Sequence, residues 1–377
     1  MKIIVNAIPI TGLTTGISRC LRNMYQAMSR LNGVKVFYFN GNKVSQEMPP
    51  AARPKRWIKN ASFIWKLPDL AVFVLRSVHW MRYEYLLQRA VRRGNFDLYH
   101  ETAFVPARIN LIPSVYTIYD LSLIQFRNKH PKERVWFHDF FFPRRIRYAN
   151  HVLTISEFIK NEIHEILGLE PDRVTAVPLA PDPCFSLQKP EIVKKTLSAL
   201  NLPEKYFLFV GSLEPRKNLG LIVEAMARQK DSVHLVLAGW KGWGDKSWLS
   251  QAPPALKKKI ITPGYVDDHT LVSLYTGALG FIYPSLYEGF GLPVLEAMAC
   301  GCPVICSDAA SLPEVADDAA MYINPQDPDT LKHAMEKVST DPKLRQDLRR
   351  RGLRRAACFS WKKTAEKTLE LFNRWRG

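Results

Sequence analysis

Long apolar runs are scarce in this chain of 377 residues. A helix that spans a membrane needs about 20 consecutive apolar residues, and the run LAVFVL at residues 70–75 ends at Arg76. The first ten residues, MKIIVNAIPI, contain one lysine and no small-residue cleavage site, which does not fit a secretory signal peptide. The sequence therefore predicts a cytoplasmic chain without a membrane-spanning helix.

Paired cysteines at metal-ligand spacing are also missing. The chain has six cysteines, and no two of them form a C-x-x-C pair. Because zinc sites and disulfide frameworks depend on paired patterns, we expect neither of them, and we expect reduced, mostly buried thiols. The sequence therefore predicts no metal site and no cofactor. The cysteines are Cys20, Cys184, Cys300, Cys302, Cys306 and Cys358.

Acidic residues are few relative to basic ones, 35 against 53, so the formal net charge is +18. Such a charge indicates an anionic partner: nucleic acid, an acidic membrane surface or a phosphorylated substrate. Residues 53–93 hold ten basic and two acidic residues, interleaved with Trp57, Trp65 and Trp80. This mixture suits an interfacial helix on anionic lipid, an RNA backbone with stacked bases, or a solvated helix face over a tryptophan-rich core.

Strand patterns rich in β-branched and aromatic residues alternate with amphipathic helical patterns along the chain. This alternation is typical of parallel sheets with helices on both faces. A chain of this length, with 47% hydrophobic residues, can build two such domains. The strand patterns are KIIVNAI, VKVFYFN, SVYTIYD, HVLTIS, YFLFVG, VHLVLAG, ALGFIYP and PVICS. The helical patterns include SRCLRNMYQAMSRL and NLGLIVEAMARQ.

A domain boundary is predicted at residues 180–191, where three prolines interrupt the periodicity. We therefore expect an α/β fold of two Rossmann-like domains, residues 1–185 and 186–360. A charged C-terminal helix over residues 361–377 can pack back on the first domain or across the second. Two such domains that face one another leave a cleft between the carboxyl ends of their parallel sheets, where ligands of this architecture bind.

The segment SLYEGFGLPVLEAMACG, residues 285–301, predicts a loop and then a helix from about Leu292 to Cys300. Pro293 suits the first helical turn, where a missing N–H costs nothing, and Gly301 suits the position after the last turn. The sequence therefore predicts that the glycine-rich loop opens at a helix N-terminus.

The start of this helix is a candidate anion site. The backbone amides of Phe290, Gly291 and Leu292 have no partner within the helix, so they can bind a phosphate. Gly289 and Gly291 allow the backbone to approach a ligand closely. A ligand that carries phosphate is therefore expected at this turn.

Two glutamates, Glu288 and Glu296, border the anion site. Carboxylates accept hydrogen bonds from hydroxyls, so the arrangement fits a ligand with phosphates in the middle and a sugar at each end, which is a nucleotide sugar. One alternative is a solvated loop with an exposed helical glutamate. Another is a glycosidase acid–base pair, but the phosphate-ready turn between the two carboxylates argues against it.

These motifs resemble those of the retaining glycosyltransferases of family 4, which have the GT-B fold, and the resemblance covers nearly the whole chain. Its most specific part is the E-x7-E motif EGFGLPVLE, residues 288–296. The resemblance implies that Glu288 and the amides of residues 289–292 hold the donor sugar, while Glu296 holds the ribose. Val266, in GYVDD, corresponds to the family position whose backbone meets the base.

A second matching motif is GSLEPRKNL, residues 211–219, which includes Ser212 in the donor site. Because it follows a strand pattern and precedes a helical one, Arg216 and Lys217 are expected on a loop at the carboxyl end of the sheet. Two cations there can neutralise a diphosphate as negative charge builds on the leaving group. An exposed basic pair without a function is the alternative.

The first domain matches the family less closely. TGLTTGISRC, residues 11–20, resembles the family turn TGIGRY, with Gly16 where the backbone meets the donor phosphate. In VYTIYDLS, Tyr119 stands where the family usually has histidine, and the expected Asp120 follows it. His100, in DLYHE, ends an earlier strand, and it either lines the same cleft or is a buried structural histidine.

The resemblance implies transfer of a hexose with retention of anomeric configuration, without a metal and without an enzyme nucleophile. GDP-mannose is the first expectation for the donor, and a UDP-linked hexose is the second. Together with the basic stretch, a transferase predicts a polyprenyl-diphosphate-linked glycan acceptor at the inner, anionic face of the cell membrane, in polysaccharide synthesis. A basic RNA-binding protein leaves the E-x7-E turn unexplained, and a glycan phosphorylase or hydrolase is the remaining alternative.

Overall fold

The computed structural model describes residues 1–11, 16–50, 67–229, 233–240 and 247–375. These residues form two compact units. The first unit contains Met1–Leu179 together with Trp361–Gly377, and the second contains Ala180–Ser360. Of the basic stretch singled out above, residues 53–66, including Trp57 and Trp65, lie outside the described residues.

Within the described residues, the first unit contains a seven-stranded sheet. Its strands are β1 (Lys2–Asn6), β2 (Lys35–Phe39), β3 (Val44–Ser45), β4 (Leu98–Glu101), β5 (Ser114–Ile118), β6 (His151–Thr154) and β7 (Val174–Ala176). Their order is β3-β2-β1-β4-β5-β6-β7, and the pairs are parallel except for β2 with the edge strand β3. Strand order reverses between β1 and β4, which makes this point a topological switch.

Helices connect these strands, as parallel pairing requires. One of them, Glu157–Leu167, begins where the Ser156 hydroxyl accepts a hydrogen bond from the Ile159 amide and ends at Gly168, in the left-handed conformation. The α-helices of this unit are Ile8–Thr11, Gly16–Met28, Asp69–Arg93, Ser122–Gln125, Lys132–Arg145, Glu157–Leu167 and Trp361–Arg374. Its 3₁₀ turns are Arg127–Lys129, Ile146–Tyr148 and Pro171–Arg173.

The described part of the second unit forms a six-stranded, fully parallel sheet. Its strands are β8 (Tyr206–Val210), β9 (His234–Ala238), β10 (Ile260–Gly264), β11 (Gly280–Tyr283), β12 (Val304–Ser307) and β13 (Ala320–Ile323). Their order is β10-β9-β8-β11-β12-β13, so the switch point lies between β8 and β11. The central strands are buried on both faces, which explains why they read as continuous apolar runs.

The helices of the second unit follow its strands in the same alternation. They are Pro190–Ala199, Leu219–Ala227, Ser247–Ser250, Pro254–Lys257, Asp268–Gly277, Leu292–Ala299, Leu312–Ala316, Pro328–Thr340 and Pro342–Ala357. The described part of this unit also contains two 3₁₀ turns, Pro215–Lys217 and Asp317–Ala319.

The expected fold class is confirmed, and each of the eight strand patterns lies on a strand of one of the two sheets. The units divide after Leu179, six residues before the expected end of the first domain. Phe185 belongs to the second unit because its ring packs edge to face on Tyr275, with centroids 5.9 Å apart. The C-terminal helix packs on the first unit, where the Thr364 hydroxyl donates to the Pro178 carbonyl at 2.8 Å.

Among the helices that the structure describes, none combines the length and the apolar character needed to cross a membrane.

Candidate active site

The switch point of the second unit brings two predicted motifs together. Residues 211–218 follow β8, residues 284–291 follow β11, and these two strands are hydrogen-bonded neighbours. Because the strands are parallel, both loops leave the same edge of the sheet. The Leu286 amide donates to the Arg216 carbonyl at 2.9 Å, which joins the two loops directly.

Lys217 and Glu288 form a buried ion pair between these loops. The Lys217 Nζ lies 2.6 Å from Glu288 Oε1 and donates a second hydrogen bond, also 2.6 Å, to the Tyr283 hydroxyl. The Ser285 hydroxyl donates to the same Glu288 oxygen at 2.5 Å. Lys217 and Glu288 are each 7% exposed, so little water screens their interaction.

Arg216 supplies a second cation to the same carboxylate. Its Nη1 lies 3.2 Å from Glu288 Oε2 and donates to the Tyr287 carbonyl at 2.5 Å. Its Nη2 donates to Glu214 Oε1 at 2.8 Å. The cluster therefore holds two cations and two carboxylates, and Glu214 is a member that the sequence analysis did not identify.

The cluster fixes the charge of its members. Burial alone would raise the pKa of Glu288, but the charges of Lys217 and Arg216 and the hydrogen bonds to the carboxylate outweigh it, so that its pKa is about 2. Burial lowers the pKa of Lys217 from its ordinary value, against the attraction of Glu288. At neutral pH Glu288 is therefore an ionised, acceptor-only group.

The helix predicted after the glycine-rich turn is confirmed as Leu292–Ala299. Pro293 lies in its first turn, and Gly301 follows it with φ +69°. Gly291, at φ +98°, has no side chain with which to cap the helix, and a Cβ there would lie 2.5 Å from Leu312 Cδ2. A glycine is required at this position, and the amides of the first turn are left for acceptors other than a cap.

Two contacts fix the position of this glycine-rich turn. The Ser311 hydroxyl donates to the Glu288 carbonyl at 2.9 Å, and Phe290 is buried against Phe359, with ring centroids 6.0 Å apart. Preorganised amides and charges lose little freedom when a ligand binds. Gly289, Phe290, Gly291 and Leu292 thus form a rigid backbone strip beside Glu288.

Glu296 lies about one turn into this helix and is 6% exposed. The Tyr275 hydroxyl donates to its Oε2 at 3.4 Å. Glu296 is therefore a buried carboxylate next to the anion turn, and the alternative of an exposed helical glutamate is excluded.

Two further donor-site candidates lie on neighbouring loops. Ser212 follows β8, and Val266 lies between β10 and the helix Asp268–Gly277, which Asp267 caps by accepting from the Thr270 amide at 2.8 Å. Both candidates are half-buried. They occupy the carboxyl edge of the same sheet as Lys217, where the strand order places ligands.

The switch point of the first unit is organised by a carboxylate that the sequence analysis missed. Glu101, at the end of β4, accepts from the Asn6 side-chain amide at 2.5 Å and from the Tyr99 hydroxyl at 2.6 Å. It also accepts from the amides of Thr102, Ala103 and Ala107. Burial raises the pKa of Glu101 more than these hydrogen bonds lower it. A buried acid in a strand pattern was the signal that could have identified this group.

His100 is fully buried on β4, with both ring nitrogens engaged. Its Nδ1 pairs with the Tyr25 hydroxyl, its Nε2 lies 2.7 Å from Thr117 Oγ1, and its ring contacts Phe372 of the C-terminal helix. Burial lowers the pKa of His100 to about 3. Of the two interpretations given above, the geometry favours the structural one.

Tyr119 and Asp120 follow β5. Among the described residues, the Tyr119 hydroxyl is buried without a hydrogen-bond partner, and burial raises the pKa of this phenol well above its ordinary value. Asp120 accepts from the amide and hydroxyl of Ser122, at 3.0 and 2.6 Å, and the Ser122 hydroxyl meets His130 Nε2 at 3.1 Å. Asp120 thus orients the turn that follows Tyr119.

Gly16 is exposed at the start of the helix Gly16–Met28, while residues 12–15 of its motif lie outside the described ranges.

The described structure places Arg216, Lys217 and Glu288 in one cluster in the second unit. It places Gly16, His100, Tyr119 and Asp120 in the first unit. Across the described ranges, no group of three His, Cys, Asp or Glu side chains is arranged to hold a metal ion.

Comparison with known proteins gives matches along both units. The family model described as Glycosyltransferase Family 4 matches residues 14–183, and the model described as Glycosyl transferases group 1 matches residues 191–355. The O-antigen chain mannosyltransferase B of Escherichia coli is 30% identical over 99% of each chain. The O-antigen chain mannosyltransferase RfbU of Salmonella typhimurium is 27% identical over 71% of this chain and 72% of its own.

A solved structure shares the architecture. The sucrose-phosphate synthase of Thermosynechococcus elongatus superposes with a TM-score of 0.75 at 18% identity, and the match covers 99% of this chain and 98% of that chain. At this identity the likeness establishes the fold, which is GT-B.

Proposed function

The chain belongs to glycosyltransferase family 4, and we propose that it transfers mannose from GDP-mannose to a polyprenyl-diphosphate-linked glycan with retention of configuration and without a metal. The observation that carries the proposal is the buried cluster of Arg216, Lys217 and Glu288 beside the N-terminus of the helix Leu292–Ala299. Cations and helix amides at one edge of a sheet suit a diphosphate.

Arg216 and Lys217 stabilise the departing diphosphate in this proposal. The glycosidic C–O bond to the β-phosphate breaks, and the negative charge left on the phosphate oxygen is met by both cations and by the amides of residues 289–292. Charge-assisted hydrogen bonds strengthen as that charge develops, so they lower the barrier rather than only tightening ground-state binding. The acceptor hydroxyl then attacks from the same face and passes its proton to the departing phosphate oxygen.

Glu288 serves as a fixed acceptor for hydroxyls of the donor sugar. Its pKa of about 2 lies far below neutral pH, so it holds no proton to donate and is a weak base. The retaining reaction as proposed needs neither a general acid nor a nucleophile from this residue. Glu296 accepts from the ribose hydroxyls on the other side of the turn, and the backbone at Val266 meets the base.

Several observations support mannose and a lipid-linked acceptor. Two relatives along this chain are mannosyltransferases of O-antigen chains by name, and the net charge of +18 suits the anionic inner face of a membrane. A UDP-linked hexose is the second candidate donor. The first-unit candidates Gly16, Tyr119 and Asp120 are proposed to contribute to the donor and acceptor sites.

A thermal-shift series with GDP, UDP and ADP tests the nucleotide. A ligand that binds the native state at 100 times its Kd adds about 2.7 kcal/mol to the free energy of unfolding. We expect GDP to raise Tm most. A larger rise of Tm with UDP would indicate that the donor is a UDP sugar. No rise of Tm with any of the three nucleotides would contradict a nucleotide-sugar donor.

A further inference from the structure

One exposed face of the helix Asp69–Arg93 carries a row of large apolar side chains. Leu70 is 65% exposed, Val74 50%, Val78 55%, Met81 51% and Tyr85 64%. With 3.6 residues per turn, these five positions fall within an arc of about 80° and span about 22 Å of the helix axis. We call these five residues the apolar row.

The apolar row is not the core face of this helix. The opposite face is buried and includes Trp80, which stacks on Tyr83 with ring centroids 5.0 Å apart. Trp80 is therefore a core residue and not an interfacial anchor. The buried face packs the helix against the rest of the unit. The apolar row is a second apolar face, which is exposed and does not contribute to this packing.

A neighbouring helix, Lys132–Arg145, extends the apolar row. Phe140 is 49% exposed, and its ring lies 6.3 Å from that of Phe73 on the first helix. Trp136, one turn earlier on the same helix face, is also exposed, and the Arg144 guanidinium lies over the Phe140 ring at 4.6 Å. Exposed apolar side chains on two packed helices form a patch rather than scattered single residues.

A basic end continues the same arc beyond Tyr85. Arg89 and Arg92 are exposed there, and the Gln88 side chain donates to the Arg108 carbonyl at 3.0 Å, which places Arg108 alongside. The guanidinium groups of Arg108 and Arg147 lie 5.1 and 5.2 Å from the centre of the Tyr148 ring. We call Arg89, Arg92, Arg108 and Arg147 the basic end.

Nearby carboxylates do not neutralise the basic end. Glu84 is buried and pairs with Arg145 at 2.9 Å, and Glu133 is buried and pairs with Arg76 at 3.2 Å. Both carboxylates thus pair with arginines that do not belong to the basic end. The patch therefore combines an apolar stripe with an excess of positive charge.

We propose that the apolar row and the basic end dock this enzyme on an anionic lipid bilayer. Apolar side chains enter the boundary between headgroups and acyl chains, while arginines meet lipid phosphates. A second copy of the chain offers the same positive rim and would repel it, and a row of mainly aliphatic side chains gives RNA bases little to stack on. The surface deepens the proposed function, because a polyprenyl-linked acceptor lies in such a bilayer.

Vesicle sedimentation of the full chain tests this surface. Wild type is compared with V78D/M81D on vesicles of phosphatidylethanolamine with phosphatidylglycerol, and on phosphatidylcholine alone. Both positions are more than half exposed, so the fold should tolerate the change. We expect salt-sensitive binding to the anionic vesicles alone, weakened at least about tenfold in the variant. The matched control L187D/I192D, which adds the same two charges at positions of the second unit that are 47% and 45% exposed, should bind like wild type.

The charge is tested with a pair of matched triple variants. R89E/R92E/R147E should lose binding to anionic vesicles, whereas K343E/R350E/R354E, with the same change in net charge on the second unit, should retain most of it. Three results would overturn the proposal. V78D/M81D binds the vesicles as tightly as wild type, wild type does not bind them, or wild type is a dimer that the V78D/M81D change dissociates. GDP binding is measured on the same variants without vesicles and should be unchanged. This measurement distinguishes a failure of the proposed donor site from a failure of the proposed membrane surface.

Discussion

Lys217 and Glu288 are 71 residues apart in the chain, yet the Lys217 Nζ lies 2.6 Å from Glu288 Oε1 in a buried ion pair. They meet because β8 and β11 are neighbours, so the loops that follow these strands leave the sheet side by side. Arg216 completes the group from the other carboxylate oxygen. Removing one member of such a buried group leaves its partner without compensation.

Breaking this ion pair should destabilise the second unit. Lys217→Met strips Glu288 of its closest cation and should lower the free energy of unfolding by about 3–5 kcal/mol. The double variant K217M/E288L replaces the pair with apolar groups and should recover most of that loss, without recovering activity. Urea denaturation of both variants measures the difference. A single variant as stable as wild type would show that the pair contributes no net stability.

Arg216 should be needed for turnover more than for folding, because its side chain is less buried than that of Lys217. Arg216→Ala should reduce kcat by about 10²–10³ through loss of one charged stabiliser of the leaving diphosphate. Arg228→Ala is the matched control, since it removes an arginine that pairs with Glu224 and Asp329 on the surface. Near-normal turnover by Arg216→Ala in a donor-turnover assay would remove Arg216 from the mechanism.

The two glutamates of the turn should contribute to different parts of the donor. Glu296→Ala should weaken binding of GDP and of GDP-mannose alike, because both ligands contain the ribose. Glu288→Gln, which keeps the shape of the side chain, should weaken GDP-mannose far more than GDP. Calorimetry with the two ligands measures the contrast. Equal losses for both ligands in both variants would show that the assigned polarity along the turn is wrong.

His100 should matter for stability and not for the reaction. Its folded-state pKa of about 3 lies below the ordinary value of 6.5, so it stays neutral in the native state while the unfolded chain takes up a proton. Its contribution to stability is therefore complete above about pH 6.5 and falls as the pH drops toward 3. His100→Leu should leave the hydroxyls of Tyr25 and Thr117 without this partner, at about 1–3 kcal/mol each.

The same variant separates the two interpretations of this histidine. The difference in unfolding free energy between wild type and His100→Leu should shrink as the pH falls from 6.5 to 3, and kcat at neutral pH should stay within a few-fold of wild type. A large loss of kcat in a stably folded variant would favour the other interpretation, in which His100 lines the cleft.

Much of the fold could be predicted because its signals are local. Strand patterns identify continuous buried runs, and Pro293 and Gly301 locate the helix Leu292–Ala299, because each residue has a steric reason to lie at a helix end. The prolines predict a boundary within residues 180–191, and the two units divide at the start of that segment, between Leu179 and Ala180. Prolines show where periodicity stops, but the packing of Phe185 on Tyr275 decides to which unit the segment belongs.

The candidate site could be predicted residue by residue but not as a cluster. Arg216, Lys217 and Glu288 were identified from two separate motifs, whereas their ion pairs depend on the order of β8 and β11 in the sheet. Glu214 lies two residues before its partner Arg216, within the second motif, and no pattern in that motif distinguished it. Glu101 was missed because its partners, among them Asn6 and the Ala107 amide, lie on more than one segment. Sequence spacing carries no information on such long-range pairing.

Transfer of labelled mannose tests the whole mechanism most directly. Wild-type enzyme is incubated with GDP-mannose and a polyprenyl-diphosphate-linked glycan, with Arg216→Ala as the inactive control, and the anomeric configuration of the product is read by NMR. We expect mannose on the lipid-linked product in the α configuration of the donor, with GDP released in equal amount. A β-linked product, or GDP release that never yields a mannosylated acceptor, would contradict a retaining mannosyltransferase.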